Sequence, residues 1–265
     1  MEENLNEIFL RRCVENDLDG VQSCLSQGTD VNTMNQRGLS GLNCAVFTRQ
    51  TELLDILLSH PDIEVNKTTT RQGELRRSWV NWTPLMFACL KGHDNIVRRL
   101  SQVPGIQYNC RNESGHTALH LAVLSNRAGC VEVLRGAGVS VDWNLRDNFG
   151  RTPLTMAVHR GYPDILQTIL SVPDPQLDLS VTDIIGRDVA RIAVMNNKVD
   201  VLRCVELLSQ DRRVNWNIKN SDGDTSLMFC LKYNMTEKAL TVLNNANIDL
   251  GIKDRLGRYH EDIAR

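Results

Sequence analysis

Residues 147–172 read DNFGRTPLTMAVHRGYPDILQTILSV, and their layout recurs along the chain. Asp147 to Gly150 is a short polar turn, in which Asp opens the bend and Gly accepts the positive φ that strains other residues. Thr152-Pro153 then starts a helix: the Thr hydroxyl can cap free N–H groups, and Pro sits where its missing N–H costs nothing. A second helix begins near Asp164, with apolar residues at three- and four-residue spacing that give it one buried stripe. The unit is turn, helix, loop, helix.

Working outward, the frame is a glycine followed seven residues later by a small apolar residue. The pairs are Gly38/Ala45, Gly115/Ala122, Gly150/Ala157, Gly186/Ala193, Gly223/Cys230 and Gly257/Ala264, with Asn81/Ala88 in the same frame. Successive small residues lie 43, 34, 35, 36, 37 and 34 positions apart. A unit of about 33–36 residues repeats, interrupted once by an insertion, KTTTRQGELRRSWV at residues 67–80.

Thr83-Pro84-Leu85-Met86, Thr117-Ala118-Leu119-His120, Thr152-Pro153-Leu154-Thr155 and Thr225-Ser226-Leu227-Met228 resemble the T-P-L-H box of ankyrin repeats. Val141-Asp142-Trp143-Asn144, Val214-Asn215-Trp216-Asn217 and Ile248-Asp249-Leu250 resemble that family's stretch before its turn. The resemblance covers about residues 5–265. It implies an all-α ankyrin-repeat solenoid of stacked helix-loop-helix units joined by β-hairpin-like turns. The copies are expected at 5–37 (an N-terminal cap), 38–66, 81–111, 112–146, 147–182, 183–219 and 220–253. Residues 254–265 are a truncated half-copy, which either closes the stack or continues in a longer chain. The copy at Gly186-Arg187-Asp188-Val189-Ala190 has lost the box, and Asp188 is expected to take over the cap.

Composition excludes several function classes. The 265 residues carry 30 Lys and Arg against 32 Asp and Glu, a formal charge of −2 that does not suit a dedicated nucleic-acid binder. No stretch approaches the apolar length of a membrane span. The start, MEENLNEIFLRR, has acid where a signal peptide needs base, so a cytoplasmic or nuclear location is expected. The eight cysteines form no CxxC pair and read as reduced thiols. Cys110, His116 and His120 come nearest to a zinc set but fall short of four clustered ligands. No phosphate loop, dinucleotide fingerprint, nucleophile elbow or metalloprotease motif is present. His120 holds the box position, where the family's His is structural. No catalytic residue, cofactor or metal is expected.

Function then reads as binding. The resemblance implies that partners contact the turn tips and the exposed ends of first helices. Trp79, Trp82, Phe149, Ile184 and Ile185 are large and apolar at tips where solvent is expected, and such rows mark interaction sites. Arg151 joins them, while Lys91, His159, Arg160 and Tyr233 lie at first-helix ends. His116 and Asp224 also occupy turn positions. Trp143 and Trp216 replace an inward valine and read as core. Arg76 and Arg77 sit in the insertion, whose local charge of +3 suits an acidic or phosphorylated partner. The competing reading has the Trp pair packed against that insertion. The expected partner is a protein bound by a monomer, with no membrane. One rival is nucleotide recognition by Trp79, Trp82, Arg76 and Arg77; another is a targeting arm of a larger enzyme or ubiquitin-ligase adaptor. Leu58, Glu64, Val65 and Asn66 resemble the pattern read by asparaginyl hydroxylases, which makes Asn66 a candidate target, against a plain structural role for its amide.

Overall fold

At one register of the repeat a short oxygen-bearing side chain accepts the N–H three residues on, which satisfies a donor that a helix start leaves open. Ser40 accepts from Asn43 (3.2 Å), Thr83 from Met86 (3.3 Å), Thr117 from His120 (3.4 Å) and Thr152 from Thr155 (3.3 Å). Asp188 accepts from Arg191 (2.9 Å) and Thr225 from Met228 (3.3 Å). Asp188 thus caps the helix whose box is lost, as expected from the sequence. Pro84 and Pro153 occupy the first turns of their helices.

The structure, a computed structural model, describes residues 4–70, 79–244 and 247–264. The chain divides into two compact units, residues 1–141 and 142–265. The first contains the helix pairs α1 (Leu5–Glu15) and α2 (Leu18–Ser26), α3 (Gly41–Thr48) and α4 (Thr51–Leu58), α5 (Pro84–Lys91) and α6 (Asp94–Ser101), and α7 (Ala118–Leu124) and α8 (Ala128–Gly136). The second contains α9 (Pro153–Arg160) and α10 (Pro163–Leu170), α11 (Val189–Met195) and α12 (Val201–Gln210), α13 (Ser226–Lys232) and α14 (Thr236–Leu243), and the single helix α15 (His260–Ala264). The described residues form no strand; one isolated antiparallel bridge joins Met34 and Ser40.

In the first unit α1, α3, α5 and α7 pack in sequence, each also against its own second helix. In the second unit α9, α11, α13 and α15 pack in sequence, the first three also against α10, α12 and α14, which form the outer row. First helices are therefore covered from several sides: Pro84 through Cys89 are all buried. Outer helices bury one stripe, as with Ile165, Leu166 and Ile169 of α10. Each such Leu or Ile contributes about 1.5–3 kcal/mol on burial. Trp143 and Trp216 are each 1% exposed, core as their position implied.

A second recurring device ties neighbouring links together. In the first unit the Asn32 amide donates to Asp62 O (2.7 Å) and accepts from Glu64 N (2.8 Å). Asn66 likewise donates to Gly105 O (2.8 Å) and accepts from Gln107 N (2.8 Å). In the second unit Asn144 bridges Gln176 O and Asp178 N, and Asn217 bridges Asn247 O and Asp249 N. One amide satisfies a donor and an acceptor that the loop exposes.

Candidate partner-binding sites

Each turn is a closed loop built on its opening residue. The main-chain N–H of Asp147 donates to Arg151 O (2.9 Å), that of Asp183 to Arg187 O (3.0 Å), and that of Asp254 to Arg258 O (3.0 Å). The side-chain oxygen then accepts two loop N–H groups: Asp147 Oδ1 from Phe149 and Arg151, Asp183 Oδ1 from Ile185 and Arg187. Gly150 and Gly186 take φ of 70° and 78°, and Asn81 takes 61° in the copy that lacks the glycine. The polar main chain is consumed inside the turn, so the turn closes through backbone and aspartate groups and not through the apolar side chains at its tip.

Where the opening residue is Asp, an arginine follows four residues later and grips the other carboxylate oxygen. Arg151 reaches Asp147 Oδ2 through Nε (2.8 Å) and Nη2 (2.6 Å), and Arg187 reaches Asp183 Oδ2 at 2.8 and 2.7 Å. Arg258 and Asp254 repeat it. The sequence carries the signal as Asp-x-x-Gly-Arg at 147–151, 183–187 and 254–258, whereas turns opened by Asn35, Asn112 and Asn220 have Leu39, His116 and Asp224 instead. Reading the turns one at a time missed this pairing. Burial pushes the Asp147 carboxyl up, but hydrogen bonds from Arg151 and Phe149 and the Arg151 charge outweigh it, so its pKa falls below the ordinary carboxylate value. Asp183 is lowered likewise, with bonds from Arg187 and Ile185 overcoming its burial.

In the second unit the tips of two adjacent turns form an apolar groove. Phe149 is 56% exposed, Ile184 70% and Ile185 68%. Ile184 closes against the preceding turn, where a Cβ placed on Gly150 would come within 2.6 Å of its Cγ2. The Arg151 guanidinium lies over the Phe149 ring at 4.9 Å, held there by Asp147. Phe149, Arg151, His159, Ile185, Arg187 and Ile192 are among the residues lining a cavity of about 200 Å³. His159 and Arg160 are exposed at the end of α9. Desolvation lowers the His159 pKa, and the charges of Arg187, Arg151, Arg160 and Lys198 lower it further.

In the first unit the arrangement differs from the expected open row. Trp79 is 38% exposed and Trp82 is half-buried, because Trp79 packs on rings from two copies and Trp82 packs on Phe87 and on Trp79. Trp79 lies 5.2 Å from Phe47 and 5.3 Å from Phe87, and Trp82 lies 5.2 Å from Phe87. Thr69 fixes the backbone beneath them: its Oγ1 donates to Trp79 O and accepts from Trp82 N (3.0 Å). Lys91 Nζ sits 3.8 Å over the Phe47 ring, a cation–π contact inside the chain. Trp82 is a packing residue more than a free tip, the reverse of the solvent-facing expectation. Arg76 and Arg77, and most of the proposed insertion finger, lie outside the described residues.

Two further turn positions are corrected. His116 is 9% exposed and its ring lies 5.9 Å from His120, because its backbone closes the turn on Asn112. Asp224 is 3% exposed: it holds Lys232 Nζ (3.0 Å), and its carbonyl accepts from the Arg191 guanidinium. Arg191 stands at the box His position, 4% exposed, with Phe229 beneath it. Tyr233 is 60% exposed, its ring 4.5 Å from Phe229. His120 is fully buried and completes a capping box with Thr117. Cys110 is half-buried and bonds Gln107 at 3.1 Å. Asn66, the modification candidate, has its amide committed to Gly105 and Gln107.

These features define a protein of stacked helix pairs with glycine-closed turns and capped first helices. The family described as ankyrin repeats, in three copies, matches residues 10–112, 69–145 and 105–183. The chain belongs to the ankyrin-repeat family. It is 28% identical over 199 residues to YahD of Escherichia coli (strain K12), named as an ankyrin repeat protein, covering 63% of this chain and 96% of that one. It is 33% identical over 140 residues to the nuclear factor NF-kappa-B p110 subunit of Drosophila melanogaster, covering 52% of this chain but 14% of the relative. Among solved structures, the ankyrin repeat domain of Bcl-3, a member of the IkappaB protein family, shares the fold with a TM-score of 0.71 at 24% identity, over 86% of this chain and 95% of that one. Ankyrin repeats are protein–protein interaction modules, and their fold is generally non-catalytic. No helix among the described residues is long and apolar enough to cross a membrane.

Proposed function

We propose that the chain is a non-catalytic adaptor that holds a protein partner at turn tips and first-helix ends, with the groove of the second unit as its principal contact. The observation that carries this reading is the exposure of Phe149, Ile184 and Ile185 on turns whose backbone is already internally bonded. Three large apolar side chains stand more than half exposed side by side, and contiguous apolar surface of this kind marks an interface. Arg151 and Arg187, pre-positioned by their aspartates, add the residue type most suited to hot spots.

The test is photo-cross-linking in lysate of the native cells, with benzoylphenylalanine placed at Ile185 or, as the control, at Arg203 on the outer face of α12. A discrete adduct from position 185 and none from 203 supports the edge. Equal adducts from both, or none from either, refutes it.

A further inference from the structure

The groove in the second unit has a chemistry that specifies more than a generic protein surface. Its floor is apolar: Phe149, Ile184 and Ile185. The apolar tract ends at the next turn, where Ser221 and Asp222 occupy the two tip positions. Its rim is cationic. Asp147 and Asp183 engage Arg151 and Arg187, whereas Arg160 and Lys198 have no ion pair among the described residues. Lys198 packs beside the end of α9, its Cβ 3.0 Å from where a Cβ on Gly161 would stand. Arg160 follows the groove-lining His159 at the end of α9, and Lys198 stands beside the Gly161 that closes that helix, so both unpaired cations lie at this end of the groove.

Size narrows the occupant. A cavity of about 200 Å³ is smaller than the roughly 300–1,000 Å³ of a small-molecule or cofactor site. It has room for one or two aliphatic side chains, which is the shape of an anchor pocket at a protein interface. An apolar anchor under an uncompensated cationic rim calls for carboxylates beside the anchor.

We propose that this groove binds a short acidic–apolar peptide segment of the partner. One aliphatic or aromatic side chain lies on Phe149, Ile184 and Ile185, and flanking Asp or Glu residues meet Arg160 and Lys198. The proposal rests on the protein-binding reading above and names the partner's chemistry. Arg151, its charge engaged by Asp147, contributes by backing the Phe149 ring. The acidic flank lies toward the end of α9, away from Asp222, which would repel it.

The probe is a displayed library of random dodecapeptides selected on the full chain. Enriched peptides are expected to carry an aliphatic or aromatic residue with Asp or Glu on at least one side. A fluorescent copy of an enriched peptide is then titrated against wild type, Ile185→Ser, Arg160→Glu and Arg203→Glu. The first two substitutions, at exposed side chains, are each expected to weaken binding about tenfold or more, and Arg203→Glu leaves it unchanged. Far-ultraviolet circular dichroism and the thermal midpoint confirm that all four fold alike. Enrichment of neutral or basic peptides, no enrichment over bare support, or indifference to both groove substitutions overturns the proposal. An oligothymidylate of matching length binding as tightly through Arg160 would also overturn it, by reducing the groove to a general anion site. A cross-link at position 185 without acidic–apolar enrichment leaves the adaptor reading standing and removes only the chemistry assigned here.

Discussion

Replacing Asp147 by Asn isolates what the aspartate–arginine clamp is worth. The amide keeps an oxygen where Oδ1 accepts from Phe149 N and Arg151 N, both at 2.9 Å. It puts an NH₂ where Oδ2 received two Arg151 donors at 2.8 and 2.6 Å, so donor faces donor. The Asp147 side chain is fully buried and that of Arg151 is 26% exposed, so the pair is screened only from one side. Hydrogen bonds to charged groups contribute about 1.5–3 kcal/mol each, and an unpaired buried charge costs more. Two bonds lost, discounted for the exposed flank, give an expected destabilisation of about 2–4 kcal/mol. The assay is urea unfolding by far-ultraviolet circular dichroism, with hydrogen exchange at the amides of Asn148 to Arg151 as the local readout, since stacked repeats open in parts. The sign with pH follows from the lowered Asp147 pKa. A carboxyl depressed in the fold stabilises fully above its unfolded value of about 3.9, and this is lost as pH falls through the folded value. Wild type and Asp147→Asn therefore converge below about pH 4. A loss under about 0.5 kcal/mol at neutral pH, or a gap constant down to pH 3, refutes the clamp.

Other substitutions probe other parts of the frame. Asn43 stands fully buried at a box position with neither side-chain polar atom bonded, so Asn43→Leu is expected to raise stability by about 1–2 kcal/mol in urea melts, the desolvation cost of one unsatisfied polar group; an equal loss would show that the amide is satisfied. Asn144→Ala removes the bridge to Gln176 O and Asp178 N and is expected to cost about 1–2 kcal/mol, with faster hydrogen exchange at Asp178 as its mark. Iodoacetamide on the native protein should label Cys110 first, because the seven other cysteines are buried and burial pushes Cys13 up to about 12 and Cys44, Cys204 and Cys230 to about 11. Peptide mapping that finds any of those four labelled before Cys110 contradicts that order.

The fold was legible because its constraints repeat. A glycine needed for positive φ, a capping oxygen and an inward small residue must recur wherever the same turn and helix recur, and Asn81 shows that the register survives loss of the glycine. Asp188 could be assigned as a cap for the same reason. Side-chain exposure at the tips is a different matter. Phe149, Ile184 and Ile185 face solvent, but Trp82 at an equivalent-looking place does not. Its burial depends on Phe87 and on Trp79, which in turn packs on Phe47 of the preceding copy, so the cluster joins two copies and meets only in three dimensions. His116 and Asp224 were misread for a related cause. Each sits at the closing position of its turn, where the backbone doubles back, and Asp224 is drawn in by Lys232 and the buried Arg191.

This separation between frame and tip decides which residues can report on function. In the second unit the clamp atoms belong to Asp147, Arg151, Asp183 and Arg187, whereas Phe149 and Ile185 enter the turn hydrogen bonds only through their backbone N–H groups. Truncating those tip side chains removes exposed apolar surface and leaves every turn hydrogen bond in place, so a loss of binding there is a loss of contact. The tryptophans of the first unit offer no such separation. Trp79 packs on both Phe47 and Phe87, and Trp82 on Phe87 and Trp79, so removing either opens a gap in a cluster built on α5. A Trp→Ala change in such packing costs up to about 3–5 kcal/mol when fully buried. Binding lost in that variant would report instability and recognition together. The groove of the second unit is therefore the place where the two can be told apart, and its arginines, anchored by aspartates that also close the turns, are where frame and recognition meet.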